Sequence, residues 1–283
     1  MRILPALILM LSFVAGAAAS PTKGVPRLIF PVVGPVTYQD DFGAPRPGGP
    51  HQGNDILAAK KSPAVAVEAG TIEFWTKSAT AGCMLYLHGV SGTTYLYIHL
   101  NNDLTSGNDN KGKCVDGVSY APGLKDGAKV AAGQLIGYVG DSGDANGVHP
   151  HLHFEVHPNN GAAVDPYPYL RKAQPLMFYA KQSTTITLSL TGTIVSSTAG
   201  SLMLKATQVK VNADKPIAVS QKVVLSIPVD AQISIDLPGV PVGLDALMPG
   251  MTAVAYTMPA KATLPVQMGD PATLTASRIL INS

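Results

Sequence analysis

The chain has 283 residues and a formal net charge of +2, with 46% hydrophobic and only 13% charged residues. A charge this close to neutral, without a basic cluster, argues against a nucleic-acid-binding protein, because such proteins present a concentrated basic face. Low charge combined with 28 glycines and 23 prolines is typical of a turn-rich β protein rather than a helical one.

The N-terminus has the pattern of a secretory signal peptide over residues 1–19. Arg2 precedes an apolar run over 3–14, and the small residues 17–19 predict cleavage after Ala19. An uncleaved membrane anchor is the alternative, but the run is short for a bilayer span, and no other segment is long and apolar enough. We therefore expect an exported mature chain, periplasmic or extracellular, without a transmembrane segment.

The region between residues 64 and 157 predicts an all-β unit of short strands. Its apolar residues alternate or run continuously, and Gly, Asn and Asp clusters separate the runs. The predicted strand segments are 64–75, 83–90, 93–100, 128–140 and 151–157. No window in this region supports a long amphipathic helix. The loop over 101–125 is long for a compact domain, which is typical of a functional or disordered segment.

The two cysteines, Cys83 and Cys114, are most simply interpreted as one disulfide, because the chain is predicted to enter an oxidising compartment. The bond would tie the strand at 83–88 to the loop at 101–125. Two buried free thiols are the alternative. Metal binding by these cysteines is disfavoured, because their spacing does not resemble a thiolate zinc site.

A change in composition near residues 172–182 predicts a domain boundary. After it, Thr, Ser and Val alternate with period two, which indicates strands with polar outer faces and a small β-barrel or sandwich. All seven histidines and both cysteines precede residue 160, so we assign the chemistry to the first domain. The predicted organisation is a signal peptide (1–19), a first domain (20–172), a linker (173–182) and a C-terminal β domain of unknown role (183–283).

The HLH sequence at residues 151–153 is the first candidate for chemistry. Successive side chains of a strand point to opposite faces, so His151 and His153 point the same way and Leu152 points away. Two imidazoles on one face can serve one metal centre, one as a ligand and one as a proton-transfer group. A surface strand that merely carries histidines is the alternative.

His51 and Asp55 are the second candidate pair. They lie in a segment rich in glycine and proline, which excludes a stable helix, so their spacing does not place them on one helical turn. We expect His51 at the end of a loop, a bend at Gly53 and Asp55 at the start of a strand. Imidazole and carboxylate are good zinc ligands, and catalytic zinc sites use three protein ligands and leave one position for water.

Five blocks of the sequence, in order, closely resemble the lysostaphin-type (LytM-like) zinc metallopeptidases, which are peptidoglycan endopeptidases. The blocks are FGAPR…HQGNDI, SPAVAVEAGTI, TTYLYIHLN, VAAGQLIGYVGDSG and PHLHFEV, and they cover roughly residues 40–170. The resemblance implies an antiparallel β-sheet peptidase core with an open groove. It also implies a catalytic zinc ion, one per chain.

Carried over by position, the resemblance implies that the zinc ligands are His51, Asp55 and His153. It implies that His99 and His151 are catalytic histidines that do not bind the metal. All five positions are filled, which favours an active enzyme. Some members have a tyrosine six residues before the first histidine ligand, where this chain has Pro45, so stabilisation of the oxyanion is left to zinc and the two histidines.

Four further polar residues receive a more modest interpretation. Glu155 has the strand parity of His153, so it is either an outer partner of that ligand or an exposed carboxylate. The remaining histidines, His88, His149 and His157, are expected to be structural or solvated.

The predicted function is a secreted zinc endopeptidase that cuts the stem or cross-bridge peptides of peptidoglycan. A non-catalytic wall-binding or amidase-activating protein on the same scaffold is the first alternative, and the complete set of five residues disfavours it. A secreted zinc protease that acts on proteins is the second alternative. The expected partners are peptidoglycan peptides, not nucleic acid, and the expected location is the cell wall.

Overall fold

The computed structural model describes residues 24–105, 107–109, 112–235, 241–270 and 273–282. The predicted signal peptide and its cleavage site lie outside the described residues. Within the described ranges, no helix has the length and apolar character needed to cross a bilayer.

Strands dominate the described part of the chain, as the composition predicts. In the first half they are β1 (Val36–Thr37), β2 (Pro45–Arg46), β3 (Gly49–Pro50), β4 (Asn54–Ala58), β5 (Pro63–Val65), β6 (Gly70–Trp75), β7 (Cys83–Gly89), β8 (Thr93–Leu100), β9 (Lys129–Val130), β10 (Leu135–Tyr138) and β11 (His151–Pro158). A short 3₁₀ turn covers Gly143–Ala145, and α1 covers Tyr167–Leu170.

Seven of these strands form one antiparallel sheet with the order β1-β4-β11-β8-β7-β6-β9. The predicted antiparallel all-β core is therefore confirmed. The predicted segment 64–75 differs in detail, because it divides into β5 and β6, and β5 pairs with β10 in a separate two-stranded sheet. Between them lies Glu68, a buried carboxylate that accepts a 2.7 Å hydrogen bond from the Tyr95 hydroxyl.

The inner face of the large sheet is apolar because β11 and β8 direct alternate side chains into the core. Leu152, Phe154 and Val156 of β11 are fully buried, and so are Tyr95 and Tyr97 of β8. The rings of Tyr97 and Phe154 meet edge to face with centroids 5.4 Å apart, a favoured aromatic geometry. This packing fixes which face of β11 is left for polar side chains.

A disulfide joins Cys83 at the start of β7 to Cys114, as the even cysteine count predicts. The loop after β8 is held a second time by Lys60, which forms ion pairs with the buried carboxylates of Asp103 and Asp141. The disulfide ties the loop to β7, and Lys60 ties it to the turn that follows β4.

Cys114→Ser is expected to lower the free energy of unfolding by about 3–4 kcal/mol, because the bond closes a loop of 31 residues and restricts the unfolded chain. Denaturant unfolding of the variant and the parent would measure the loss. The parent in reductant is the matched control and should approach the variant. Equal midpoints for oxidised parent and variant would contradict the expectation.

The second half of the chain has its own strands and core. Its elements are β12 (Thr185–Ile186), β13 (Leu188–Thr198), β14 (Ser201–Val211), β15 (Ile217–Ser226), β16 (Gln232–Ile235), a 3₁₀ turn (Leu244–Ala246), β17 (Thr252–Thr257), β18 (Ala260–Lys261), α2 (Leu264–Gln267) and β19 (Ala276–Asn282). Six strands form a sheet with the order β15-β14-β13-β17-β19-β16, antiparallel except for β16 and β19. The period-two alternation predicted for this region is present in the burial of β13.

The two halves meet through a small apolar cluster. Val33 and Val65 of the first half and Leu176 belong to it, and Leu264 and Met268 at α2 pack against them. The predicted linker contributes buried residues to the core of the second half, including Phe178. The domain division itself stays a prediction.

Candidate metal centre

Strand pairing brings the two candidate motifs together on the polar face of the large sheet. β11 lies between β4 and β8, and in this register His153 is paired with Asp55 on one side and with Ile98 on the other. Directly paired residues of antiparallel strands have β-carbons about 4.5–5.5 Å apart, so the carboxylate and the imidazole meet. Asp55 is the second residue of β4 and follows a bend at Gly53, as predicted.

Three candidate ligand atoms converge at this point. His51 Nε2 lies 2.9 Å from His153 Nδ1 and 3.2 Å from Asp55 Oδ1, and His153 Nδ1 lies 3.1 Å from the same oxygen. The ligand atoms of these three residues all lie within 4.8 Å of one another. The side chains of His51 and Asp55 are largely buried, with exposed fractions of 4% and 14%.

The hydrogen bonds at the outer ring nitrogens show what this set can hold. His51 Nδ1 donates to the backbone carbonyl of Asp41 over 2.9 Å, and His153 Nε2 donates to Glu155 Oε1 over 2.9 Å. With the outer nitrogen donating, the neutral form of each ring has its lone pair directed at the other ring and at Asp55. Two lone pairs and a carboxylate oxygen at this range repel one another unless a cation lies among them, and two imidazoles with one carboxylate form a donor set suited to zinc.

The charges of the cluster agree with a site for a cation. Burial raises the pKa of Asp55, but hydrogen bonds with His153 and His51 outweigh it, so the net pKa lies well below the ordinary value. Burial lowers the pKa of His153, but hydrogen bonds to the Asp55 and Glu155 carboxylates raise it by more, to about 9. The cluster thus stabilises a positive charge at its centre, and a proton on His153 Nδ1 and a metal ion would compete for the same lone pair.

Two residues that the sequence interpretation missed complete the surroundings of Asp55. Arg46 donates from Nη2 to Asp55 Oδ2 over 2.7 Å, which occupies the oxygen that does not face the histidines. Asp41 lies 3.5 Å from the same guanidinium, and its backbone carbonyl holds His51. Sequence proximity to His51 was the available signal, but Arg46 lies among prolines and glycines that show no periodicity.

The two predicted non-ligand histidines lie beside the cluster. The ring centroids of His99 and His151 are 5.0 Å apart, and those of His99 and His153 are 6.0 Å apart. His99 Nδ1 donates to the carbonyl of Ser142 over 2.8 Å, and His151 Nδ1 donates to that of His149 over 2.9 Å. With Nδ1 donating, the neutral form of each ring has its lone pair on Nε2, and the Nε2 of His151 lies 3.7 Å from Asp55 Oδ1.

His99 has two further properties that set it apart. Its backbone has a φ of +62°, in the left-handed region that non-glycine residues rarely adopt and that is concentrated at functional sites. Burial lowers the pKa of the His99 imidazole to about 4, with the charges of His151 and His153 acting in the same direction. The ring is neutral at physiological pH.

The remaining histidines lie outside the cluster, and one expectation is corrected. His149 is exposed, whereas His88 pairs with Glu73 over 2.8 Å and His157 with Glu155 over 2.7 Å. Glu155 is only 7% exposed and contacts His153, so the exposed-carboxylate interpretation is wrong.

Gly53→Ala is expected to disturb the cluster, because a β-carbon at this position would lie 2.6 Å from the carbonyl oxygen of Phe154 and 2.7 Å from His153 Nε2. Overpacking of this kind costs about 1–3 kcal/mol of stability, and here it also displaces a candidate ligand. Thermal unfolding and zinc titration would measure both effects. Gly48→Ala is the matched control, since nothing lies within 4 Å of its added β-carbon. Indistinguishable variants would contradict the expected clash.

Two comparisons of the sequence with known proteins, one with a family model and one with individual relatives, both find peptidases. Residues 117–166 match the sequence model of peptidase family M23, a range that includes His151 and His153. A relative described as an L-Ala–D-Glu endopeptidase, from Bacillus subtilis (strain 168), is 30% identical over 146 residues. That similarity covers 48% of this chain and 40% of the relative, so the chain spans less than half of the length of this relative.

Two solved structures are also similar in sequence. The catalytic domain of the antimicrobial peptidase lysostaphin from Staphylococcus simulans is 28% identical, with a TM-score of 0.37, over 48% of this chain and 92% of that domain. A catalytic-domain variant of the prophage-encoded M23 protein EnpA from Enterococcus faecalis is 27% identical, with a TM-score of 0.35, over 47% and 90%. The family match and the B. subtilis relative confirm the resemblance seen in the sequence.

Proposed function

We propose that this protein is a zinc metalloendopeptidase that hydrolyses peptide bonds in the stem or cross-bridge peptides of peptidoglycan. The observation that carries the proposal is the convergence of His51, Asp55 and His153, with the lone pairs of both imidazoles directed at one point. The peptidase family match supports the reaction class. The cell-wall substrate is supported by the B. subtilis relative, whose description names an L-Ala–D-Glu bond.

His51, Asp55 and His153 would hold the zinc ion. Zinc bound by such a set supplies Lewis acidity for the scissile carbonyl and lowers the pKa of a bound water to about 7. Arg46 fixes Asp55 by its second oxygen, and the Asp41 carbonyl fixes the ring of His51. Both contacts reduce the motion of the ligands before substrate arrives.

His99 and His151 would move protons. In the neutral form of each ring the single proton is on Nδ1, where it is donated to a backbone carbonyl, and Nε2 has the free lone pair. Such a nitrogen can accept the proton of the attacking water and return it to the leaving amine. The two ring centroids lie 5.0 Å apart, so both rings can act on one substrate bound beside them.

The alternative activities make different demands on the same site. A wall-binding or amidase-activating protein needs neither the ligand set nor the two proton acceptors, and this chain keeps all five residues. A zinc protease that acts on secreted proteins would use the same residues. The geometry of the site is the same for this second alternative and for the proposal, so only the substrate that is cleaved can distinguish them.

We further propose that residues 20–172 form the peptidase domain and residues 183–283 a separate β domain, with export directed by residues 1–19. The separate apolar cores of the two halves support this division. Export is supported by the disulfide, which is a feature of proteins in oxidising compartments.

The substrate is tested by offering purified peptidoglycan and an unfolded protein to the same zinc-loaded preparation. New amino termini in stem or cross-bridge peptides, identified by mass spectrometry, are the expected result, with slower or no cleavage of the protein. Cleavage of the protein alone would overturn the cell-wall substrate and leave the zinc peptidase standing.

A further inference from the structure

Strand β11 carries four polar side chains on the face that holds the candidate metal centre, and the proposed function uses only the first two. His151, His153, Glu155 and His157 alternate along the strand, so their side chains share one face of the sheet. Glu155 is only 7% exposed, and an ionised carboxylate is buried at a cost unless both of its oxygens have partners. The partners of Glu155 therefore show what it does.

Glu155 has a histidine on each oxygen. Its Oε1 accepts from His153 Nε2 over 2.9 Å, and its Oε2 accepts from His157 Nε2 over 2.7 Å. His157 Nδ1 in turn donates to the backbone carbonyl of Gly161 over 2.9 Å. The result is a chain of hydrogen bonds that starts at a metal-ligand candidate and ends on the backbone beyond β11.

We propose that Glu155 and His157 act as a positioning pair for the metal, in which His157 fixes Glu155 and Glu155 fixes the tautomer and plane of the His153 ring. The inference rests on the proposed zinc site. Neither residue belongs to the candidate ligand set. Carboxylates that bind the outer nitrogen of a ligating histidine contribute about 10–100-fold to metal affinity or activity.

His157 is needed because one oxygen of the carboxylate does not suffice to hold it. Without a donor at Oε2, the buried carboxylate would have an unsatisfied oxygen, which favours rotation of Glu155 toward water. The pair borders a pocket of about 450 Å³ that would admit that water. Rotation would withdraw Oε1 from His153, so a change four residues from the ligand would reach the metal.

The same sheet face contains a matched pair that lacks the connection to the metal. His88 Nε2 donates to Glu73 Oε2 over 2.8 Å, and both residues line the same pocket. Strand register places Glu73 in the cross-strand row of Glu155 and His88 in that of His157. Glu73 and His88 are exposed by 50% and 42%, and no ligand candidate contacts them in the described structure. Substitutions of Glu73 and His88 therefore show whether any change of a charged pair in this pocket alters zinc affinity.

The experiment measures zinc affinity of the full protein by competition with a chromophoric chelator, and visible absorption after loading with cobalt. The variants are Glu155→Gln, His157→Phe and His157→Gln, with Glu73→Gln and His88→Phe as controls. Glu155→Gln and His157→Phe should weaken zinc binding by about 10–100-fold and alter the cobalt spectrum. His157→Gln keeps a donor near the Nε2 position and should recover most of the affinity, whereas the controls should match the parent.

Several outcomes would overturn the inference. Unchanged zinc affinity in both Glu155→Gln and His157→Phe would exclude a positioning role, as would equal weakening in the control pair. Thermal unfolding in chelator identifies variants that lose zinc affinity only because they fail to fold. If His157→Phe folds but His157→Gln does not recover zinc affinity, the hydrogen bond from residue 157 is not what holds Glu155, and the inference is overturned. A parent that binds no zinc would overturn the proposed function itself, which is a separate result.

Discussion

Replacing His51 by alanine is expected to remove zinc from the protein and to lower hydrolysis by about 10³-fold or more. His51 supplies one of three converging ligand atoms, and its loss leaves two where a catalytic zinc site uses three protein ligands. Metal polarisation of the carbonyl is worth several kcal/mol of transition-state stabilisation, which converts to that factor. Metal analysis and hydrolysis of peptidoglycan, measured on the same preparation, would test both effects.

The matched control for this variant is His149→Ala. His149 is an exposed histidine close to the site, but its side chain is not part of the cluster. Zinc content and hydrolysis should both stay at the parental level. A His51→Ala protein that retains stoichiometric zinc and normal turnover would show that the metal, if any, is held elsewhere.

Replacing His99 by alanine is expected to lower turnover by about 10²–10⁴-fold while zinc stays bound. This range is typical for the loss of a positioned general acid or base. His99 is a neutral proton acceptor fixed by Ser142, and it holds a backbone conformation that few residues adopt. Since it contributes no ligand atom to the cluster, metal content should match the parent, and the Michaelis constant should change less than turnover.

His151→Ala and the double variant complete this test. If the two histidines act as a unit in proton transfer, the double variant should lose little more than either single variant, because effects of residues that act together are not additive. Loss of zinc in parallel with turnover in His99→Ala would contradict the assignment and would make His99 a support for the metal instead.

The fold and the core of the site follow from sequence features with a direct physical meaning. Period-two alternation in β11 places His151 and His153 on one face and Leu152 on the other, and the structure has this arrangement. The convergence of His51 and Asp55 with His153 depends on pairing between strands 98 residues apart. Local pattern alone does not encode such pairing; the resemblance to a known family supplied it.

The residues around the ligands were harder to predict because their contacts depend on three-dimensional placement. Asp41 lies in irregular backbone and Arg46 in the two-residue strand β2, so no periodicity indicates which way either side chain points. Glu155 has the right parity, but parity cannot distinguish a buried bridge between two histidines from a solvated carboxylate. The low exposure of Glu155 in the structure, 7%, shows that it is the buried bridge.

The C-terminal half shows the same contrast. Alternation of Thr, Ser and Val with apolar residues predicts its strands, and β13 and β14 are each 11 residues long. The order of the six strands, with β16 parallel to β19, depends on chain crossings that alternation does not specify. The sequence also gives no indication of what this half does, because all seven histidines of the chain precede residue 160.

The most direct test of the account is to pair metal content with bond cleavage in one preparation of the parent and of His153→Ala. The account predicts about one zinc per parent chain and new amino termini in peptidoglycan peptides, both lost in the variant and in chelator-treated parent and restored to the parent by zinc. A metal-free parent that cleaves peptidoglycan as fast as the zinc-loaded protein would contradict the central claim. So would a His153→Ala variant that keeps both zinc and activity.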